Sequence, residues 1–230
     1  MNEKLLYENP LRCAADVADF RMEGQADVAF PRGVLRLSST LDPSLGQRAN
    51  YVFWCPREFP CGIRIEWDFR AVTEPGLAIL FFGAAGRGGE SIFDPALAAR
   101  DGQYVQYHHG DINAFHVSYF RRKEPDERAF HTCNLRKSYG FHLVSQGADP
   151  IPDANPADDA PWYHLVLVQK PEEVSFAVGL ADSSDVPLTL FRYVDDGVTY
   201  GPRLTGGGCI GFRQLAPMVG EYRDLRVVQA

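Results

Sequence analysis

The chain has no apolar run long enough to cross a membrane, and its first twenty residues, MNEKLLYENPLRCAADVADF, are interrupted by Glu3, Glu8 and Asp16. A secretory core is therefore missing, which predicts a cytoplasmic protein with no membrane partner. Cysteine is scarce and unclustered. Cys13, Cys55, Cys61, Cys133 and Cys209 make an odd count with no C-x-x-C pair, which argues against a disulfide framework and a zinc knuckle and leaves buried thiols in a reducing compartment. A basic excess is absent as well. Lys and Arg number 23 against 30 Asp and Glu, for a net charge of −7, so there is no general attraction to nucleic acid or anionic lipid. The Gly-rich stretch GAAGRGGES at 83–91 lacks the Gly-Lys-Ser/Thr of a phosphate loop and opens no helix. It reads as a mobile loop at the rim of a binding face. No Gly-x-Ser-x-Gly elbow occurs. Without internal repeats, heptads or a low-complexity linker, residues 1–230 read as one domain.

What the chain has is rings and turn formers: 12% aromatic residues, with 15 Phe, 10 Tyr, 21 Gly and 16 Pro. Aromatics suit pleated surfaces, and Gly and Pro suit turns, so the composition points to an all-β fold. Strand-like segments recur at 33–37, 51–54, 62–69, 77–82, 104–108, 114–120, 130–135 and 140–146. More follow at 164–169, 174–179, 188–193, 209–214 and 225–229. That spacing predicts an antiparallel β-sandwich or jelly roll. One short helix is expected from Asp94 as N-cap and Pro95 in the first turn, through LAAR, to a stop at Asp101-Gly102. The segment GADPIPDANPADDAP at 147–161 reads as a long surface loop.

Alternation assigns faces. In GIRIEWDF, Ile63, Ile65, Trp67 and Phe69 point one way, and Arg64, Glu66 and Asp68 the other. Four mid-chain segments are expected to bury Val105 and Tyr107, Phe115 and Val117, Cys133 and Leu135, and Phe141 and Leu143. Their opposite sides then carry Tyr104, Gln106 and His108; His116, Ser118 and Arg122; Thr132, Asn134 and Arg136; and His142 and Gln146. Side by side, these would pave one sheet with imidazoles, guanidinium groups, amides and a phenol. Such a surface suits a sugar, with planar polar groups for hydroxyls and rings for the apolar side of a pyranose. The alternative is a solvated sheet face, although Lys and Glu, which usually populate such faces, are almost missing from it.

Other motifs carry less. Glu66-Trp67-Asp68 resembles part of the Glu-x-Asp-x-x-Glu strand of retaining glucanases, but Ala71 stands where the third acid belongs, and a face paired with Arg64 and Arg70 explains it as well. His109-Gly110-Asp111, with His164 at a distance, has the order of an iron-binding facial triad but reads more simply as a hairpin turn, so no metal site is expected.

Longer segments carry a resemblance. ENP at 8–10, DFRMEG at 19–24, NYVFWCP at 50–56, EPGLAILFF at 74–82 and IFDPALAAR at 92–100 belong to it. So do QYHHGDINAFHVSYFRR at 106–122, TCNLRKSYGFHLVSQGADPIP at 132–152, DDGVTYGPRLTGG at 195–207 and IGFRQLAPMVGEYRDLRV at 210–227. Together they are similar to the YesU-like family, domain of unknown function 1961. The resemblance implies a concanavalin A-like lectin/glucanase sandwich and a connection with bacterial carbohydrate catabolism, of pectic polysaccharides in particular. It supplies no catalytic set. It also implies that a structural calcium is possible, with Glu8 or Asp224 as oxygen donors, though no other cofactor is expected.

The function expected is therefore action on an oligosaccharide ligand, pectin-derived and uronate-containing, in a concave sheet groove. Hydrolysis needs two carboxylates, which the polar face lacks. β-Elimination needs a carboxylate neutraliser, a base and an acid. Arg136 with Arg122, Gln106 or Asn134 would supply the first, His116 or His142 the second and Tyr104 the third. His108, Ser118 and Gln146 complete the substrate contacts. Gln106-Tyr107-His108 also resembles the Gln-x-His strand of sandwich-type alginate lyases. A binding protein of lectin type, without catalysis, is the alternative, and a structural or regulatory protein a third. Oligomeric state is not readable from the sequence.

Overall fold

A computed structural model describes residues 3–230. The described residues form fifteen strands in sequence. They are β1 (Leu5–Asn9), β2 (Arg21–Glu23), β3 (Ala26–Ala29), β4 (Leu35–Ser39), β5 (Tyr51–Phe59), β6 (Ile63–Thr73), β7 (Leu77–Gly86) and β8 (Ile112–Arg121), followed by β9 (Thr132–Ser138), β10 (His142–Ala148), β11 (Tyr163–Gln169), β12 (Glu173–Leu180), β13 (Leu188–Val194), β14 (Gly208–Leu215) and β15 (Val219–Gln229). Two single-turn helices, α1 (Val105–His108) and α2 (Pro125–Ala129), flank β8.

The strands pair antiparallel throughout, in two sheets. The first runs β13-β12-β11-β6-β15-β4-β3, with β1 also on β15; the second runs β10-β9-β8-β7-β14-β5-β2. This is the all-β sandwich that the strand spacing predicted. Alternation explains why the layers close. Ile63, Ile65, Trp67 and Phe69 of β6 are all buried, and they meet Tyr51, Phe115, Val117, Leu135 and Phe212 from the second sheet. Trp67 stands edge-on to Tyr119 at 5.5 Å, and Phe69 lies 5.4 Å from Tyr222. Each large apolar side chain removed from water contributes about 1.5–3 kcal/mol, so this inter-sheet layer is the main stabilising term.

Three sequence expectations change. Residues 94–100 make one turn and no helix: Asp94 accepts from Ala96 N (2.8 Å) and Leu97 N (3.1 Å), but Asp111 then takes Ala98 N (2.8 Å) and Arg100 reaches Glu23 (2.7 Å). The chain is pulled out straight. Residues 104–108 are α1 and its cap rather than a strand. Both neighbours of β8 are already in place as β7 and β9, so the segment lies across the sheet. Phe141 and Leu143, expected in the core, are each 42% exposed, and Val105 is 56% exposed. A register shift between Leu143 and Ser145 puts Leu143 opposite Arg136 and His142 opposite Lys137, so His142 and Gln146 face opposite ways. The loop expected at 147–161 runs from 149 to 162, because Gly147 and Ala148 still pair with β9, and buried Arg122 ties it down through Asp149 (3.0 Å) and Ile151 O (2.7 Å).

Candidate functional site

The outer face of the second sheet, turned away from the first, is half roofed. The segment between β7 and β8 folds over it and buries Ile92 and Tyr107 against Val52, Trp54, Phe81 and Ala114. Gly102 permits this. It has φ +97°, and a Cβ there would sit 2.0 Å from Asn50 O, so no other residue fits without moving the backbone that leads into β5. Beyond Gly102, the side chains at 104, 107 and 108 point at the sheet with the one-turn spacing of a helix. Tyr107 packs 5.4 Å from Phe81 and donates to Glu23 at 2.8 Å.

Tyr104 lies where the roof ends. Its hydroxyl is 2.6 Å from His116 Nε2. The His116 ring is fully buried, packs on Phe81 at 5.0 Å, and leaves Nδ1 without a partner. Around Tyr104 stand His108 (5.0 Å between rings), Phe141 (5.3 Å) and the Arg213 guanidinium (4.7 Å over the ring). Arg136 caps Phe141 at 3.8 Å and donates to Phe141 O. Burial pushes the Tyr104 phenol up to about 12, against the pull of Arg213, Arg136 and Arg121. Burial holds the His116 imidazole well below its usual range, and Arg136, Arg213 and His108 push the same way. His108 falls to about 4 through burial, the neighbouring His109 and the two arginines. At neutral pH the imidazoles of His108 and His116 are thus uncharged and the phenol keeps its proton.

Among the described residues no carboxylate pairs with Arg136 or Arg213. Arg213 donates to Gly102 O (2.6 Å) and Gln47 Oε1 (3.2 Å), and neither it nor Arg136 has a salt bridge among the described residues. Acids nearby are engaged by other groups: Glu127 by Arg121 (2.7 Å), Lys123 N and Glu124 N, and Glu23 by Arg100 (2.7 Å) and Tyr107 (2.8 Å). The face is a cationic, aromatic-lined surface on a net-acidic chain.

Residues 4–227 match the family described as "Domain of unknown function (DUF1961)". The chain belongs to the DUF1961 family. It is 51% identical over 225 residues, 98% of this chain and 96% of its relative, to the uncharacterized protein YesU of Bacillus subtilis (strain 168). It superposes with a TM-score of 0.88, at 50% identity, on a crystal structure of a protein of unknown function with galectin-like fold from Bacillus subtilis, covering 99% of this chain and 97% of that one. At 10% identity the sandwich also matches the Emp46p carbohydrate recognition domain (TM-score 0.58, 100% of this chain and 99% of that one). The Ca2+/Man3GlcNAc-bound VIP36 exoplasmic/lumenal domain is similar at 9% identity (TM-score 0.54, 91% and 86%). These two likenesses show the fold alone.

On this DUF1961 face, Tyr104, His108, His116 and Arg136 come together. Ser118, Asn134 and Gln146 continue it outward, with the Asn134 and Gln146 amides hydrogen-bonded at 2.7 Å, though Ser118 and Asn134 are buried. Three candidates lie elsewhere. Arg122 is buried beneath the 149–153 loop, Gln106 accepts from Asp101 N to hold its own loop (2.9 Å), and His142 faces the other side of its strand, 5.1 Å from Tyr200. With Gln106 and His108 on a helix, the likeness to a lyase Gln-x-His strand does not hold. Reading by alternation missed Arg213 and Phe141. Arg213 could have been found, since it shares a face of β14 with Cys209 and Gly211, an unexpected place for a lone cation.

Glu66, Asp68 and His164 belong to the outer face of the first sheet. Arg64 (2.7 Å) and Arg226 (3.1 Å) hold Glu66; Arg223 and His164 (2.8 Å each) hold Asp68. Glu8 and Asp224 line a cavity of about 520 Å³ there together with Arg12 and Arg226. Among the described residues no three His, Cys, Asp or Glu side chains converge as metal ligands, and arginines at this cavity suit a calcium shell poorly. No helix among the described residues is long and apolar enough to cross a membrane.

Proposed function

We propose that this DUF1961 protein binds a uronate-containing oligosaccharide of pectic type across Tyr104, Arg136 and Phe141, and cleaves it by β-elimination. The observation that carries this is the pair of acid-free arginines, Arg136 and Arg213, beside the Tyr104–His116 hydrogen bond on a chain of net charge −7. A neutral glycan has no use for the half-buried, acid-free guanidinium of Arg136, whereas a sugar carboxylate pairs with it, and Arg213, fully buried against Tyr104, adds positive potential from beneath. Phe141 offers an exposed ring for the apolar side of the sugar. That neighbours of the same fold are described as a carbohydrate recognition domain and as Man3GlcNAc-bound supports a sugar as ligand.

The chemistry follows from the protonation states. Arg136 neutralises the uronate carboxylate, which stabilises the enolate that forms when the proton on C5 leaves. His108, uncharged at neutral pH, accepts that proton, and the bound carboxylate opposes the arginines that depress its basicity. The electron pair forms the C4–C5 double bond as the C4–O bond breaks, and Tyr104 gives its proton to the departing oxygen. His116 touches no substrate; it is a positioning residue. If Nε2–H donates to the phenol oxygen, Nδ1 is a bare lone pair and the phenol proton is free for the leaving group. Glycoside hydrolysis finds no carboxylate pair on this face, because Glu66 and Asp68 lie on the other sheet.

The substrate is taken to be a short imported oligosaccharide in the cytoplasm. The test is incubation with pectic oligosaccharides, following unsaturated-uronate absorbance together with new reducing ends. Both should rise in step, and Tyr104→Phe should remove both while leaving binding within about twofold. Reducing ends without absorbance would replace elimination by hydrolysis. Binding with neither signal would leave a lectin.

A further inference from the structure

A second feature lies past the hairpin between β9 and β10. A cleft of about 380 Å³ is lined by Arg87, Ser138, Tyr139, His142 and Tyr200, among others. Arg87 comes from the Gly-rich stretch, and its guanidinium covers the Tyr139 ring at 4.2 Å. It has no salt bridge among the described residues. Ser138, buried, has a hydroxyl without a hydrogen-bond partner. Two acids from the loop after β13 are already engaged: Asp195 pairs with Lys137 (2.7 Å), and Asp196 accepts from Val198 N (2.8 Å) and Thr199 N (2.9 Å). The Glu90 carboxylate folds back against Gly86 and Gly88 and makes no salt bridge with Arg87. The cleft therefore offers one free cation, an orphaned hydroxyl and two rings, Tyr139 and Tyr200.

This repeats what stands on the other side of the same hairpin. There, Arg136 covers Phe141 at 3.8 Å; here, Arg87 covers Tyr139. Two rings two residues apart on one turn, Tyr139 and Phe141, are thus each covered by an arginine that has no salt bridge among the described residues, Arg87 from the Gly-rich stretch and Arg136 from β9. The two sides are joined through His109, whose ring is 5.5 Å from Tyr139 and 4.5 Å from His108. Gly140 N donates to His108 O at 2.7 Å, which fixes the hairpin to α1. A polymer bearing a carboxylate on each sugar presents the same repeat of anion and ring.

We propose that the cleft is a second subsite for the same ligand, taking a further acidic sugar with its carboxylate on Arg87 and its ring against Tyr139 or Tyr200. This rests on the reading of the Arg136 face as a uronate site. It predicts that affinity grows with chain length and that the growth depends on charge, since stacking alone would accept a neutral sugar equally well.

The experiment is calorimetry with galacturonate, digalacturonate and trigalacturonate, and with the methyl-esterified trimer. The wild-type chain should bind the trimer about tenfold or more above the monomer, and esterification should remove that gain. Arg87→Gln and Tyr139→Ala should each abolish the gain while leaving the monomer within about twofold, because both side chains are exposed and lie outside the Arg136 site. A gain that survives Arg87→Gln and esterification overturns the subsite, and so does a wild-type chain without any gain. Arg136→Gln separates the two readings. If it leaves the monomer unaffected, the first site is wrong; if the length gain still vanishes in Arg87→Gln, the cleft stands by itself.

Discussion

The two outer faces of the sandwich are built from the same kind of strand and hold charge in opposite ways. On the first sheet, the carboxylates at its centre are matched. Glu221, fully buried, accepts from Arg70 (2.6 Å), Arg36 (2.6 Å) and Arg32 (3.1 Å), and Glu66 and Asp68 are each held by two cations. On the second sheet, Arg136, Arg213 and Arg87 are left over, among histidines and rings. A surface whose charges are satisfied from within gains little from a ligand. One whose cations lack partners keeps a desolvation cost that an anion would offset. Net charge conceals this, since −7 is a sum over both faces.

The comparison breaks most visibly at Glu221. Glu221→Gln removes the charge that three arginines share, leaving buried Arg70 without an acid, and should cost about 3–5 kcal/mol in chemical denaturation. A loss under about 1 kcal/mol would mean that the matched face is not held by its ion pairs. Next in size is Arg136→Gln, expected to weaken uronate binding at least tenfold, about 1.4 kcal/mol, with the denaturation midpoint little changed. Arg226→Gln on the matched face should leave uronate binding unaltered. If the two substitutions reduce affinity alike, the contrast between the faces is not functional.

Much of this contrast was legible in the sequence, because alternation reports faces. The polar positions of β6, and His116, Ser118, Asn134 and Arg136, were assigned to the correct sides. What failed has physical causes. YVQYH alternates like a strand, but Tyr104, Tyr107 and His108 also fall at i, i+3 and i+4. Which period wins depends on whether a neighbouring strand edge is free, and that is a property of topology. The register shift after Leu143 exchanged His142 for Phe141 on the site face, and a bulge leaves no periodic trace. The short strands β1, β2 and β3 lacked any run long enough to signal. The cleft was hidden because its residues come from segments far apart in the chain: Arg87 after β7, the β9–β10 hairpin, and Thr199 and Tyr200 between β13 and β14.

The smallest effect is a pH dependence of opposite sign on the two faces. His108 is depressed to about 4 in the folded chain, and His116 is depressed too. The unfolded chain titrates them near 6.5, so it takes up protons that the fold refuses as pH falls below that value. Their contribution is present above about pH 6.5 and is lost progressively toward pH 4. His164 is raised instead, by its hydrogen bond to Asp68 against the opposing effect of burial. Its contribution is complete below about pH 6.5 and disappears as pH rises through its folded value. Urea midpoints across this range should therefore show His108→Gln flattening the acid limb and His164→Gln flattening the decline above neutrality. Saturating uronate should raise the midpoint at every pH by mass action and, beyond that, change the slope of the acid limb alone, because a carboxylate beside His108 favours its charged form and lies on the opposite side of the sandwich from His164. A ligand that changes the slope above neutrality instead would lie on the wrong sheet.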